Sequence, residues 1–166
     1  MSACIPTLQT YYYPQGTGKV IGGGECSMYK ARELQQRLPE GVVATILMER
    51  GSHAAFRASG VIVMMGIASP KDVPVQLIDN AFTIGVNGRA PTQVRFQTIS
   101  VYADTAPWDT QLKKGTHFVA EVQIPMSEVD SALVQFPSLR ISDHHVTLAP
   151  VQFTKKRSPY LMPLCQ

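Results

Sequence analysis

The 166-residue sequence predicts a mainly β protein. Three observations favour this class. Runs of β-branched residues of strand length recur from residue 42 onward, 12 Gly and 12 Pro residues punctuate the chain, and Asn87-Gly88 is a strong hairpin signal. Hydrophobic residues make up 45% of the chain and charged residues 16%, which predicts a folded domain with one principal core and excludes wholesale disorder.

Seven runs have the composition of β-strands and are bounded by turn residues. The predicted strands are 42–48, 60–67, 75–78, 81–86, 94–102, 117–124 and 146–153. Both residues of Asn87-Gly88 tolerate positive φ, so this pair is expected to join the strands on either side of it.

The N-terminal quarter of the sequence lacks the strand pattern of the later residues. Residues 1–25 are rich in Gly, contain Tyr11-Tyr12-Tyr13 and show no sustained periodicity, which predicts an arm or loop. The spacing of Met28, Ala31, Leu34 and Leu38 then fits one face of a helix over 26–38, before Pro39 and Gly41. Two shorter helices are predicted over 106–112 and 125–133.

The net charge limits which partners are expected, and the targeting signals indicate the cellular compartment. Lys and Arg exceed Asp and Glu by 15 to 12, and this net charge of +3 tolerates a polyanionic partner without demanding one. The longest apolar run, residues 60–68, is far shorter than the roughly 20 residues of a membrane-spanning helix. The N-terminus resembles neither a secretory signal nor a transit peptide, so a cytoplasmic location without membrane insertion is expected. Cys4, Cys26 and Cys165 are expected to be free thiols.

No pattern in the sequence predicts catalysis or a bound cofactor. The Gly-rich run 16–20 lacks two residues required for a phosphate-binding loop, since Tyr13 stands in place of the first glycine and Val20 in place of Ser or Thr. The four histidines have no metal-ligand spacing. Ser142-Asp143-His144 contains triad residue types but no nucleophile elbow, so we expect a surface turn. No enzyme activity, metal or cofactor is therefore expected.

Residues 94–124 carry the most informative pattern. Alternation over 94–102 puts Phe96 with Thr98 and Ser100 on one face, interpreted as the solvent face, and Ile99 with Val101 on the core face. An exposed aromatic in such a strand either packs under a loop or stacks on a nucleic-acid base. A short helix and a two-lysine turn that ends at Gly115 follow.

This order of features resembles the bacterial single-stranded-DNA-binding protein family. The matching residues are Phe96, Ile99, Val101, Tyr102, Ala103, Leu112, Lys114, Gly115, Val119 and Glu121. Segments 60–66, 82–87 and 146–153 are similar to three further strands of that family. Ala103 stands where the family usually has glycine, and the acidic tail of the family is absent.

The likeness covers about residues 58–153, and it implies a five-stranded barrel of the oligonucleotide-binding (OB) fold. An N-terminal extension containing one helix (1–57) would precede the barrel, and a basic, Pro-containing tail (154–166) would follow it. By the resemblance, Phe96 and Tyr102 stack on bases. Arg95, Lys113 and Lys114 are placed to contact phosphates, and Arg89 is expected to line the groove with them. The implied function is sequence-independent binding of single-stranded DNA in replication, recombination or transfer, by a homodimer or homotetramer.

Several alternatives stay open at this point. RNA is a possible ligand, because base stacking does not distinguish the two sugars. The barrel could instead serve assembly, as a primosomal or virion component that does not bind DNA. Tyr11-Tyr12-Tyr13 fits a stacking arm, an edge strand or a subunit contact, and Lys155-Lys156-Arg157 fits a solvated segment or a phosphate contact.

Overall fold

A computed structural model describes residues 7–22, 32–50, 60–70, 72–102 and 114–160. These residues form fourteen strands and two 3-10 turns, at Pro39–Gly41 and Met126–Glu128. The predicted mainly β class is confirmed.

A five-stranded antiparallel sheet contains both the first and the last described strand. Its strands in spatial order are β1 (Thr7–Gln15), β14 (Val151–Tyr160), β11 (Ser131–Gln135), β7 (Ala81–Val86) and β8 (Thr92–Arg95). β1 pairs with β14 along all nine of its residues, so the two ends of the described chain lie side by side.

A six-stranded antiparallel sheet forms the second layer. Its strands in spatial order are β2 (Lys19–Ile21), β3 (Glu33–Arg37), β4 (Val43–Arg50), β5 (Gly60–Ser69), β10 (Lys114–Pro125) and β9 (Thr98–Tyr102). A small third sheet has the order β13 (His144–Val146), β12 (Leu139–Ile141) and β6 (Val75–Leu77).

One continuous hydrophobic core lies between the two larger sheets. Alternate residues of each strand point into it, because successive side chains of a strand point to opposite faces. Ile46 and Val63 enter it from the six-stranded sheet, and Phe82, Val134 and Phe153 from the five-stranded sheet, all 2% exposed or less. Burying each such side chain contributes about 1.5–3 kcal/mol relative to leaving it in water.

The chain passes from one large sheet to the other at both edges of the sandwich. At the first edge, β1 leads to β2 through a turn in which Gly18 has φ 131°, and a Cβ there would lie 2.3 Å from the Gln35 carbonyl oxygen. At the second edge, β8 leads to β9 through Phe96 and Gln97. The Phe96 N–H donates to the Asn80 carbonyl (3.1 Å), and the Gln97 N–H donates to the Val119 carbonyl (2.9 Å). Phe96 is thus bonded to the residue that precedes β7, and Gln97 is bonded to β10 of the other sheet.

The hairpin prediction at Asn87-Gly88 is confirmed. Both residues have positive φ, 50° and 73°, and the Arg89 N–H donates to the Val86 carbonyl (3.0 Å), closing the turn between β7 and β8. A two-residue hairpin turn of this kind needs positive φ at both residues, which Asn and Gly adopt at little steric cost.

The predicted helix over 26–38 is wrong where the structure describes it. Glu33–Arg37 is strand β3, paired with β2 on one side and β4 on the other, while residues 26–31 lie outside the described residues. Leu34 and Gln36 are buried and their neighbours are not, which is the period of a strand. Pairing on both sides outweighs the weak helical spacing.

Of the two shorter predicted helices, one lies outside the described residues and the other is not observed. Residues 106–112 lie outside the described part of the chain. Over 125–133 the structure has only the 3-10 turn at Met126–Glu128, and β11 follows from Ser131. Here the β-ladders with β7 and β14 determine the conformation.

A five-stranded barrel is not confirmed. None of the sheets in the described residues is closed, and the predicted boundary near residue 57 falls within one sheet, because β4 pairs with β5 over eight residues. β14 likewise continues to Tyr160 and so includes much of the predicted tail. The strand predicted over 94–102 is divided into β8 and β9 by the bend at Phe96 and Gln97.

Tyr12 anchors β1 to the rest of the core. Its ring is 1% exposed, and its hydroxyl donates to the Val129 carbonyl at 3.0 Å. Burial, and to a lesser extent the negative charge of Asp130, raises the pKa of Tyr12 to about 12. The neutral, hydrogen-bonded phenol is therefore the form that the folded protein prefers.

Tyr12 is expected to make the protein less stable at alkaline pH. Below pH 10 the phenol is protonated in both states, so it adds no pH dependence. Between its unfolded pKa of about 10 and its folded pKa of about 12, only the unfolded chain releases the proton, and the free energy of unfolding falls by about 2–3 kcal/mol.

Urea unfolding of the wild type and Tyr12→Phe measures this effect. Tyr12→Phe is expected to lose about 1 kcal/mol at neutral pH, because the Val129 carbonyl loses its donor, and to be the less pH-sensitive protein above pH 10. Parallel pH profiles for the two proteins would contradict the assignment.

Candidate nucleic-acid interface

Phe96 is a core residue, and the prediction that it faces solvent is wrong. Its side chain is 5% exposed, and its ring centroid lies 5.1 Å from that of Phe82 and 5.6 Å from that of Phe118. The alternation correctly puts Val94 and Phe96 on one face of the strand and Arg95 on the other. The face that carries Phe96, however, points into the core and not to solvent. Val94 is paired with Phe82, which faces the core. A ring packed between two others presents no face to a base.

The other five predicted site residues are only partly described. Arg95 ends β8 and Arg89 lies in the loop before it, and both are exposed. Tyr102 and Lys114 lie in the backbone of β9 and β10, but their side chains fall outside what the structure describes, as does the whole of Lys113. The structure thus places Arg89 and Arg95 near one edge of the five-stranded sheet and separates Arg95 from the Phe96 ring.

The outward face of the five-stranded sheet has an unusual composition. We call it the outer tyrosine face. Strand register and burial assign to it Gln9, Tyr11, Tyr13, Gln15, Thr83, Gln93, Arg95, Ser131, Leu133, Gln135, Gln152, Thr154, Lys156 and Ser158. These described positions include two tyrosines, two cations and no carboxylate. Aromatic rings, amides and cations without acidic residues make a surface suited to a polyanion with exposed bases.

Tyr11 and Tyr13 form the aromatic part of this face. They are two residues apart in β1, so their side chains project from the same side about 7 Å apart along the strand. Both are half-buried, whereas the intervening Tyr12 points inward. The register pairs Tyr11 with Lys156 and Tyr13 with Thr154. Directly opposed residues of an antiparallel pair have Cβ atoms about 5 Å apart, so a cation lies beside the tyrosine rings.

The basic triplet near the end of the chain divides into different roles. Lys155 is structural, because its Nζ lies 2.7 Å from Asp130 Oδ1 and its side chain is 13% exposed. Lys156 is exposed on the outer tyrosine face and makes no ion pair among the described residues. Arg157 is also exposed but alternates to the opposite side of β14. Of the three, Lys156 is the one placed beside the tyrosines.

Asn87 holds in place the loop that supports Lys155. Its side-chain oxygen accepts from the Asp130 and Ser131 N–H groups (2.9 and 3.0 Å), and its Nδ2 donates to the Glu128 carbonyl (2.7 Å). These bonds position Asp130, which in turn holds Lys155. The hairpin turn and the basic strand are therefore connected through one loop.

Sequence reasoning did not select Tyr11, Tyr13 or Lys156 as site residues. The period of two in Tyr11-Tyr12-Tyr13 does indicate that two rings share a face if the segment is a strand. No local pattern shows that this segment pairs with residues 151–160. Of the three alternatives left open for the tyrosines, the structure shows the edge strand. Base stacking and a subunit contact stay predictions.

The described residues do not form a metal-binding site. No group of three or more His, Cys, Asp or Glu side chains within them could hold a metal ion. No helix in the same ranges has the length and apolar character needed to cross a membrane.

Comparisons of the chain with protein-family models, curated proteins and solved structures found no match.

Replacing Phe96 is expected to destabilise the fold. Phe96→Ala removes a ring that packs on two others and leaves a cavity, so the free energy of unfolding should fall by about 3–5 kcal/mol. Arg95→Ala, the exposed neighbour, is the matched control and should change it by about 0.5 kcal/mol or less. Urea unfolding measures both. A stable Phe96→Ala protein that had lost DNA binding would restore the sequence-based interpretation.

Proposed function

We propose that this protein binds single-stranded DNA, without sequence preference, on the outer tyrosine face. The observation that carries the proposal is the cross-strand arrangement of Tyr11 and Tyr13 beside Lys156. It is supported by the absence of carboxylates from the described positions of that face.

The tyrosines supply the interaction that does not depend on sequence. Every base has a π-face, and stacking on an aromatic side chain contributes about 1–3 kcal/mol per base. Tyr11 and Tyr13 are held by a nine-residue ladder with β14, so ordering them on binding costs little conformational entropy. Each of the two preordered rings can stack on one base.

Cations on the same sheet supply contacts to the phosphates. Lys156 lies beside Tyr11, and Arg95 lies on β8 at the opposite edge, with Arg89 in the adjoining loop. Four strand spacings separate β1 from β8, a width of about 19 Å. Gln and Thr side chains fill the area between, where they can hydrogen-bond to bases or to the backbone. A strand of DNA crossing the sheet would meet a ring and a cation at one edge and cations at the other.

The finer hypothesis of an OB barrel over residues 58–153 stays part of this proposal. It is supported by the path β10–β9–β8–β7, in which one bent segment passes from sheet to sheet. Roles in replication, recombination or transfer, a cytoplasmic location and a homo-oligomeric state are likewise hypotheses. Of the site residues that the sequence predicts, this proposal uses Arg89 and Arg95, both of which the structure describes.

The alternative function is that of an assembly protein without DNA binding. Exposed large hydrophobic side chains favour it: Leu8 is 75% exposed and Leu133, on the outer tyrosine face, is 49% exposed. Such residues commonly mark protein contacts when they form part of a larger apolar patch. Light scattering with and without oligothymidine separates the two functions, since assembly alone would proceed independently of the oligonucleotide.

The tyrosines are expected to contribute to affinity individually. Tyr11→Ala and Tyr13→Ala should each weaken binding of a fluorescent oligothymidine by about 1–3 kcal/mol, roughly 5- to 150-fold in Kd. Tyr12→Phe is the control, because its ring is buried, and it should keep the wild-type Kd. Fluorescence anisotropy at fixed salt measures all three. Unchanged Kd for both outward tyrosines would refute the stacking site, and equal binding of oligouridine would extend the ligand class to RNA.

Lys156 is expected to contact a phosphate. Lys156→Gln should weaken binding and reduce the slope of log K against log salt concentration by about 0.7, the value for one phosphate contact on a single strand. Arg140→Gln removes an exposed cation from the small third sheet and should leave the slope unchanged. A salt titration of anisotropy provides the test. Equal slopes for wild type and Lys156→Gln would exclude Lys156 from the interface.

A further inference from the structure

The hairpin turn at Asn87-Gly88 carries a chemically reactive pair of residues. Asn87 has a side-chain amide, and Gly88 has no side chain to shield its backbone nitrogen. Both residues are exposed, and a Cβ placed at Gly88 would have no atom of the described residues within 4 Å apart from its chain neighbours. The turn is therefore open to water. Asparagine is a thermolabile residue, and it reacts most readily when glycine follows it.

The reaction open to this pair is deamidation. The Gly88 nitrogen loses its proton to solvent and bonds to the Asn87 Cγ, while the bond from Cγ to Nδ2 breaks and the amide group takes up a proton and leaves as ammonia. Water then opens the resulting cyclic imide. Breaking the new bond gives aspartate, and breaking the original peptide bond gives isoaspartate. In total one water is consumed and one ammonia is released, without oxidation or reduction.

The fold holds the Asn87 amide in a position that opposes this reaction. Its Oδ1 accepts from the Asp130 and Ser131 N–H groups (2.9 and 3.0 Å), and its Nδ2 donates to the Glu128 carbonyl (2.7 Å). Ring closure turns the side chain toward the Gly88 nitrogen and expels Nδ2, so these bonds must break first. The reaction therefore requires a local opening of the loop at 128–131, and such openings are governed by the local stability of the loop.

Either product weakens the connection that the amide makes. A carboxylate at position 87 has no N–H to donate, so its oxygen faces the Glu128 carbonyl oxygen without a bond. It also adds negative charge beside Asp130, which pairs with Lys155 of β14 at 2.7 Å. Isoaspartate additionally lengthens the main chain of a two-residue turn. The link between the β7–β8 turn and the basic strand is loosened in both cases.

We propose that Asn87 is a deamidation site controlled by the loop at 128–131. Water converts Asn87 to aspartate or isoaspartate only when the loop opens, and the product makes the fold less stable. The inference does not rest on the proposed DNA binding, because rate and stability are both measured without nucleic acid.

Mass spectrometry of the full chain, incubated at mildly alkaline pH in buffer or in denaturing urea, measures the rate. Because several hydrogen bonds must break first, Asn87 should react about tenfold or more slowly in the folded protein than in the unfolded chain. Asn80 is the internal control, since the Ala81 side chain hinders attack, and it should react slowly in both. Equal Asn87 rates in both states would overturn the inference. So would a faster rate in the folded protein, as expected if the two donors to Oδ1 stabilised the oxyanion.

Tyr12→Phe tests the role of the loop without changing any charge. The Tyr12 hydroxyl donates to the Val129 carbonyl within the loop, so its removal should raise the rate at Asn87 in the folded protein by about 2- to 10-fold. The rate in urea should not change. Tyr13→Phe is the matched control on the outer tyrosine face and should react as the wild type does. An unchanged folded-state rate in Tyr12→Phe would exclude loop opening as the controlling step.

Asn87→Asp reproduces one product and tests its effect on stability. In urea unfolding, this variant should have a ratio of unfolded to folded protein about 5- to 30-fold higher than the wild type. Asn80→Asp adds the same charge at another exposed residue and should change the ratio by about twofold or less. Equal stability of the two variants would contradict the proposed effect. An Asn87→Asp protein that fails to fold while Asn80→Asp folds would support it, and the wild-type rates test the control by the loop independently.

Discussion

The ladder between β1 and β14 joins the two ends of the described chain, and both the core and the candidate interface depend on it. On its inner side it places Tyr12 in the core, where the phenol hydroxyl reaches the Val129 carbonyl. On its outer side the same nine residues carry Tyr11 and Tyr13 next to Lys156. One ladder thus fixes a buried anchor and an exposed binding surface, since the period of two assigns successive residues to opposite faces.

The bends at the two edges of the sandwich explain how a single core serves two open sheets. Gly18 permits one bend because any side chain there would collide with the Gln35 carbonyl. At the other bend, the Phe96 N–H bonds to Asn80 just before β7 and the Gln97 N–H bonds to β10, and the Phe96 ring packs between Phe82 and Phe118. A residue in such a place is held by packing from both layers, so it contributes to stability and is withdrawn from the surface.

Much of the strand content could be predicted from the sequence, because β-branched runs and turn residues act locally. The 81–86 strand and the Asn87-Gly88 turn are indicated by local composition, although in the folded chain β7 also pairs with β11 and Asn87 also bonds to the loop at 128–131. The spacing of Leu34 and Leu38 predicts a helix over 33–37, and only the pairing with β2 and β4 shows that these residues form a strand. For Phe96, alternation separates two faces but does not state which is inside. The neighbouring strand decides that through the Val94–Phe82 pair. Tyr11 and Lys156 come from opposite ends of the chain, so their adjacency follows from long-range pairing that no local pattern contains.

Photo-cross-linking tests the central claim most directly. An oligodeoxynucleotide carrying iododeoxyuridine, irradiated in complex with the full chain and analysed by tryptic mass spectrometry, reports which aromatic rings touch the bases. The account predicts cross-links at Tyr11 and Tyr13, none at Tyr12 or Phe96, and loss of the adducts when excess unlabelled oligothymidine is added. Specific cross-links confined to other parts of the protein, with both outward tyrosines unmodified, would contradict it.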